Sequence, residues 1–289
     1  MQPPPGVVTV KSVLVPSIGH SNVAFEAGAA IARLFDAHMA CLRIHPDPVD
    51  VAVKASGTAL TAEIGGSLVV SDLWKILEDE DRQRSQTVRA RFDAVAASLP
   101  KGRASWHERT GDEVNEVATF GRWHDLVVVD GQVDGGLPPP MVGNILHACG
   151  KPLLLAGKPR PTLGQSVIIA WKNAPEAARA LTAAMPFLKR ARRILVASVT
   201  ENGHPSRANV EGAEGVVGLL RHHGLAAEAK CVTAGERPPA IVISSTAGEW
   251  GADLMVMGAY GHSRMRETVF GGFTRHVLSG VTVPALMVH

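Results

Sequence analysis

Short apolar runs alternate along the chain with longer stretches of helical periodicity. The first run is KSVLVPS at residues 11–17, and a similar run, QSVIIAWK, begins at Gln165. Apolar, β-branched runs of this length predict buried strands. Each run is followed by an alanine-rich stretch with apolar residues at helical spacing, NVAFEAGAAIARLFDAH in one case and PEAARALTAAMPFLKRA in the other. The pattern therefore predicts a strand followed by a helix in both halves.

The order of the later elements repeats as well. MACLRIH corresponds to RRILVASV as a second strand, and LVVVDG corresponds to LMVMGA as a fourth. In both halves a tryptophan precedes an Asp-Leu pair that opens this fourth strand. Two copies of one strand and helix alternation explain the chain more economically than a single irregular fold. We call these copies the first and the second repeat.

Each repeat predicts about five strands alternating with helices, which is typical of a parallel sheet covered on both faces. Right-handed crossovers then make each repeat a small doubly wound domain. The predicted fold class is α/β, with two tandem Rossmann-like domains spanning residues 1–159 and 160–289 and a linker, GKPRPTLGQ, at the boundary. Residues 67–100 form an insertion in the first repeat and predict a long, charged helix.

Charge and cysteine content narrow the class of protein. The 29 Lys and Arg residues nearly balance the 27 Asp and Glu residues, so net charge favours neither nucleic acid nor an anionic membrane as a partner. No apolar run approaches the roughly 20 residues of a spanning helix. The three cysteines are far apart and lack metal-ligand spacing. We expect a cytoplasmic protein without a structural metal.

A glycine-rich stretch follows the fourth strand of the second repeat, GAYGHSRMRETVFGGFTRHVL at residues 258–278. Ligands of an open parallel sheet bind beyond the carboxyl ends of its strands. Gly258 and Gly261 can bring bare backbone N–H groups close to an anion there. Gly271 and Gly272 precede a predicted helix, whose N-terminal N–H groups favour phosphate. The stretch predicts an anion site, although such glycines can also serve only to turn the chain.

The pattern Gly258-x2-Gly261-x9-Gly271 resembles the nucleotide-binding signature of the universal stress proteins, and VPALMV is similar to that family's C-terminal end. The likeness extends over the whole chain as a tandem pair. It implies adenine nucleotide alpha hydrolase-like sheets of strand order 3-2-1-4-5 and an adenine nucleotide, ATP with or without Mg, in the second repeat. The residues that it places around the nucleotide are Ala170, Trp171, Lys172, Val199, Met257, Gly258, Gly261, His262, Gly271, Gly272, Phe273 and Thr274. Arg264, between the glycine pairs, can also reach phosphate oxygens.

Two residues depart from the family's pattern. Lys172 stands where ATP-binding members have an acidic residue, and Gly272 stands where they have Ser or Thr. A lysine can face a phosphate instead. In the first repeat Ile18 stands at the position of this acidic residue. The loop after LVVVDG contains three successive prolines, which have no backbone N–H to donate. We predict that the first site is degenerate, with Gly143 and Asn144 in place of the last glycine and its Ser or Thr.

Three functions are compatible with these residues. The first is a cytosolic stress-response protein whose C-terminal domain binds ATP and which regulates or protects rather than catalyses. The second is a structural or chaperone-like stress protein that binds no nucleotide. The third is an enzyme, at most a weak ATPase, because the sequence offers no positioned general base or nucleophile. We expect the two domains to pack through their last strands as an internal pseudo-dimer, with a homodimer left open.

Overall fold

The computed structural model describes residues 9–18, 23–47, 67–131, 139–200, 207–259, 272–280 and 282–289. The described residues of the first repeat form strands β1 (Ser12–Pro16), β2 (His38–His45), β3 (Ala104–Thr110), β4 (Leu126–Asp130) and β5 (Leu153–Ala156) and helices α1 (Val23–Phe35), α2 (Ser67–Ala96), α3 (Glu113–Gly121) and α4 (Pro139–Cys149). Those of the second repeat form strands β6 (Ser166–Ala170), β7 (Arg193–Thr200), β8 (Glu228–Thr233), β9 (Leu254–Gly258) and β10 (Ala285–Val288) and helices α5 (Pro175–Leu188), α6 (Arg207–His222), α7 (Pro239–Glu249) and α8 (Gly272–Ser279).

The ten strands of the described residues form one sheet. Its order is β3-β2-β1-β4-β5-β10-β9-β6-β7-β8, which is the order 3-2-1-4-5 followed by its mirror image. Neighbouring strands within a repeat are parallel, whereas β5 and β10 meet antiparallel with Leu154 opposite Leu286. The predicted α/β fold with two Rossmann-like repeats is confirmed, and their last strands pair as expected. The exact domain boundary at residue 160 stays a prediction.

Each face of the sheet carries an apolar layer that runs through both repeats. The α1 face is covered by α1, α2, α5 and α6, and the α3 face is covered by α3, α4, α7 and α8. On the α1 face, Phe35 and Phe187 meet edge to face across the repeats, with ring centroids 4.9 Å apart. Leu154 and Leu286 belong to this layer, while their neighbours in β5 and β10 belong to the other. The junction between the repeats is therefore buried core.

A carboxylate before the fourth strand fixes the start of the first strand in each repeat. Asp125 accepts hydrogen bonds from the backbone N–H groups of Lys11 and Ser12 at 2.8 and 3.0 Å. Asp253 makes the same pair of bonds at the start of β6, at 3.1 and 2.9 Å. The aspartate of the repeated Asp-Leu pair thus satisfies backbone donors at the amino ends of the strands in each repeat.

Helix α2 is the long, charged helix predicted for the insertion, with 30 residues. It buries Val88 and Phe92 in the α1 face and leaves most of its described charged side chains exposed. Within the described ranges, no helix combines the length and the apolar character needed to cross a bilayer.

Phe187→Ala is expected to destabilise the whole chain by about 3 to 5 kcal/mol, because the Phe187 side chain is buried at the junction and contacts Phe35 of the other repeat. Urea unfolding measures this change. Leu219→Ala, at an exposed position of α6, is the control and should alter stability by less than about 0.5 kcal/mol. Two separate transitions, only one of them shifted by Phe187→Ala, would contradict a shared core.

Candidate functional site

The register of the sheet brings the predicted residues of β6, β7 and β9 to one edge. Ala170 pairs with Met257 on one side and with Ala197 on the other, so the carboxyl ends of these three strands lie side by side. Gly258 ends β9 at this edge, and Val199 lies two residues beyond Ala197. Ala170 and Met257 are buried in the α3 face, and Val199 packs against it. This is the edge at which parallel sheets bind ligands.

Gly258 lies against the N-terminus of α5. A Cβ atom at this position would lie 2.5 Å from the backbone nitrogen of Ala177 and 2.6 Å from the carbonyl carbon of Glu176. Both distances are far below van der Waals contact, so any side chain would push α5 away from β9. Close packing of the strand against the helix thus requires a glycine, and it also leaves the end of β9 without a side chain.

The first repeat carries Asp130 at the position of Gly258, since both residues end the fourth strand of their repeat. Asp130 is buried, and its carboxylate accepts a 2.8 Å hydrogen bond from the backbone N–H of Ala24 in the first turn of α1. A buried carboxylate repels phosphate and uses an N–H donor of the helix N-terminus. The cavity that the described residues leave beside Ser17 and Asp130 is about 10 Å³, roughly the room that one water molecule needs.

Helix α8 begins at Gly272, so a helix N-terminus follows the last motif glycine as predicted. Thr274 is buried, Phe273 packs against the α3 face, and Gly272 is exposed with open space where a Cβ would lie. Lys172, directly after Trp171, is exposed to solvent. The remaining predicted residues, Gly261, His262, Arg264 and Gly271, lie outside the described residues.

Gly143 and Asn144 lie inside α4 rather than before it, because α4 already begins at Pro139. The expectation that they replace the end of a phosphate loop is therefore wrong. Proline suits the first turn of a helix, where its missing N–H is not needed for the helical hydrogen bonds. Because proline has no backbone N–H, the N-terminus of α4 offers fewer N–H donors than the N-terminus of α8 does.

Three polar atoms at the edge of the second repeat are buried without a hydrogen-bond partner among the described residues. They are Nε1 of Trp171, Oγ of Ser198 and Oγ1 of Thr200. Sequence reasoning identifies Trp171 and misses the two hydroxyl residues. The alternation of β7 could have identified them. Ser198 and Thr200 follow Ile194 and Val196 at every second position, so all four side chains lie on the same buried face of the strand.

The first repeat fills the equivalent positions with an ion cluster. Arg43 and His45 have the same register in β2 that Ser198 and Thr200 have in β7. Arg43 is 2% exposed and donates to Asp81 of α2, whose other carboxylate oxygen lies 2.6 Å from Nδ1 of His45. Burial lowers the pKa of Arg43, and the charge of Asp81 opposes this shift. The chain itself thus satisfies Arg43 and His45, whereas Oγ of Ser17, directly after β1, is buried without a partner among the described residues.

The described residues contain no group of three or more His, Cys, Asp or Glu side chains that is arranged to hold a metal ion. The candidate site is instead built from backbone, glycine, indole and hydroxyl groups. Its chemistry suits hydrogen bonding to an organic ligand and to an anion at the helix N-terminus.

The fold and this edge define a tandem Rossmann-like α/β protein. Residues 165–289 match the model of the universal stress protein family. A universal stress protein from Archaeoglobus fulgidus is similar in structure, with a TM-score of 0.67 at 14% identity over 96% of this chain and 97% of that one. A functionally unknown protein from Pseudomonas aeruginosa has a TM-score of 0.57 at 16% identity over 96% and 92%. No curated protein sequence matches the chain.

The second repeat therefore matches the universal stress protein family. The full length of the chain has the fold of the two solved structures, which extend over both repeats.

Gly258→Ala is expected to destabilise the protein by about 1 to 3 kcal/mol, because the added methyl group overlaps the backbone of α5. Chemical denaturation measures the change. Gly272→Ala is the matched control, since a Cβ there meets no atom within 4 Å, and it should leave stability unchanged or slightly raised. Equal effects of the two substitutions would show that the close packing at Gly258 is wrong.

Proposed function

We propose that the second repeat binds an adenine nucleotide, ATP with or without Mg, at the carboxyl edge of β6, β7 and β9. The match of residues 165–289 to the universal stress protein family supports a role in the stress response. On this proposal the protein is a cytoplasmic regulator or protective protein that responds to nucleotide rather than turning it over.

The contrast between Gly258 and Asp130 is the observation that carries the proposal. At the same point of the two repeats, the second has no side chain and the first has a buried carboxylate bonded to a helix N-terminus. The carboxylate of Asp130 already occupies an N–H donor of the helix N-terminus, whereas no side chain stands at Gly258. The two repeats therefore differ in the property that decides whether an anion binds.

The N-terminus of α8 supports the same assignment. Its first residue, Gly272, follows the motif directly, and its backbone N–H groups are unpaired within the helix by geometry. The positive end of the helix dipole favours a phosphate at this point. In the first repeat the corresponding helix, α4, starts with prolines instead.

A nucleotide at this edge can act as a signal without being hydrolysed. Ala170 and Met257, at the ends of β6 and β9, belong to the apolar layer of the α3 face that continues into the first repeat. A ligand that binds one arrangement of the repeats better than another shifts their populations by its difference in affinity. Partners that contact one arrangement then respond to the nucleotide.

Isothermal titration with ATP tests the site. Wild type is expected to bind one nucleotide per chain, because Asp130 closes the first repeat. The double variant Gly261→Glu and Gly271→Glu should weaken binding at least about 100-fold, because two carboxylates then face the phosphates.

A control pair adds the same charge elsewhere in the second repeat. Gly215→Glu and Gly248→Glu lie at exposed helical positions where a Cβ meets no atom, so ATP binding should stay at the wild-type level. Equal ATP binding by both double variants would remove the site assignment. Two nucleotides per chain would contradict closure of the first repeat, and no binding by wild type would favour a structural or chaperone-like stress protein.

A further inference from the structure

Three histidines lie together on the α3 face of the first repeat, far from the carboxyl edge of the second. Oγ of Ser105 in β3 joins two of them, since it lies 2.8 Å from Nε2 of His38, which begins β2, and 2.9 Å from Nε2 of His107 in β3. The third, His124, follows the end of α3, and its Nδ1–H donates to the carbonyl oxygen of Phe120 at 2.9 Å. His38, His107 and His124 are called the histidine cluster below.

The cluster contacts the last turn of α3. The ring centroid of Phe120 in this turn is 5.1 Å from that of His107 and 5.4 Å from that of His124. Phe120 is 6% exposed and belongs to the apolar layer of the α3 face. The guanidinium group of Arg109 already lies over the same ring, 5.4 Å from its centroid. Neutral imidazoles pack well in such surroundings, whereas additional positive charges there lose hydration and repel one another.

The electrostatics of the cluster favour the neutral imidazoles. Burial lowers the pKa of His107, and the positive charges of Arg109 and His38 lower it further. Burial also lowers the pKa of His124. The bond to the Phe120 carbonyl and the carboxylate of Asp125 oppose this shift, whereas His107 and His38 add to it.

These shifts make the stability of the first repeat depend on pH. In the unfolded chain the pKa of a histidine is about 6.5. Because the folded-state pKa values of His107 and His124 lie below their unfolded values, the unfolded chain binds the protons first as the pH falls. The stability that the neutral cluster contributes is therefore fully present above about pH 6.5 and is lost as the pH drops below it.

The second repeat holds the end of the corresponding helix, α7, with a different contact. Arg193 has the register in β7 that His38 has in β2. Its guanidinium lies over the ring of Trp250 at the end of α7, 4.1 Å from the centroid, and donates to the carbonyl oxygen of Trp250. Glu228 and Lys230 take the places in β8 that the serine and the histidine have in β3. Arginine stays charged at every pH at which proteins fold, so this contact does not change with acid.

We propose that the histidine cluster is an acid-sensitive switch, which holds the end of α3 on β3 at neutral pH and releases it when the imidazoles are protonated. Protonation places two imidazolium rings across the single oxygen atom of Ser105, whose hydroxyl hydrogen then has no imidazole acceptor. Release uncovers Phe120 beside Trp123, which contacts it and is already 67% exposed. Acid thus enlarges an apolar surface in the first repeat alone, and this does not depend on nucleotide binding.

Cys149 reports whether α3 moves. It is buried against the end of α3, because a Cβ atom at Gly121 would lie 2.5 Å from its Sγ atom. Cys41 is buried on the other face of the same repeat, and the partly exposed Cys231 of the second repeat corrects for the pH dependence of the reagent. Labelling by dithiodipyridine, located by peptide mass spectrometry, measures the three rates. Relative to Cys231, Cys149 should react at least about tenfold faster at about pH 5.5 than at about pH 7.5, and Cys41 should not.

Urea unfolding at the same two pH values tests the role of the imidazoles. The double variant His107→Gln and His124→Gln lacks both titrating groups. A proton that only the unfolded chain binds changes the unfolding equilibrium constant up to about tenfold per pH unit. From about pH 7.5 to about pH 5.5, the constant of wild type should therefore rise at least about tenfold more than that of the variant. Each protein is compared with itself, so a variant that is less stable at both pH values still gives an answer.

The matched control removes two histidines from the second repeat. His222 and His223 are exposed at the end of α6, so the double variant His222→Gln and His223→Gln should keep the wild-type dependence on pH. Equal pH dependence of wild type and the His107→Gln, His124→Gln variant overturns the switch. Acid labelling of Cys149 and Cys41 together shows unfolding of the whole repeat, and unchanged labelling of Cys149 shows that α3 stays in place. Either result also overturns it.

Discussion

The antiparallel pairing of β5 with β10 is the contact on which the rest of the structure depends. It joins two parallel sheets into one and lets a single apolar layer cover each face of both repeats. Because the pairing is antiparallel, the carboxyl edges of the two repeats lie at opposite ends of the sheet. The carboxyl edges of the two repeats therefore do not contact each other, and their amino acids can differ without changing the shared core.

The two edges have diverged in how they satisfy polar groups. The first repeat joins the buried Arg43 to the partly buried His45 and Asp81, and Asp130 accepts a hydrogen bond from the start of α1. These groups bond to one another and to the start of α1, while Oγ of Ser17 at the same edge has no partner among the described residues. The second repeat has Gly258 in place of the carboxylate and leaves hydrogen bonds unmade beneath α6. The proposed ligand site and the ion cluster of Arg43, His45 and Asp81 therefore lie in different copies of one fold.

Much of the fold can be predicted from local sequence, because a short apolar run indicates a buried strand. The strands, the repeat and the helix in PEAARALTAAMPFLKRA are predicted in this way, whereas the bonds from Gln165 and Ser166 to Asp253 are not. The site is harder to predict. Strand alternation shows that Ser198 and Thr200 face inward, but the absence of a partner depends on α6, a separate element. Prolines likewise suggest a loop, whereas Pro139 begins a helix.

Hydrogen exchange with and without ATP tests most directly the claim that one edge is open and the other closed. ATP is expected to slow the exchange of backbone amides at the ends of β6, β7 and β9 and at the start of α8. The ends of β1, β2 and β4 should exchange at the same rate in both conditions, because Asp130, Arg43 and His45 are already bonded within the chain. Protection of the first repeat's edge to the same extent, or protection of neither edge, would contradict it.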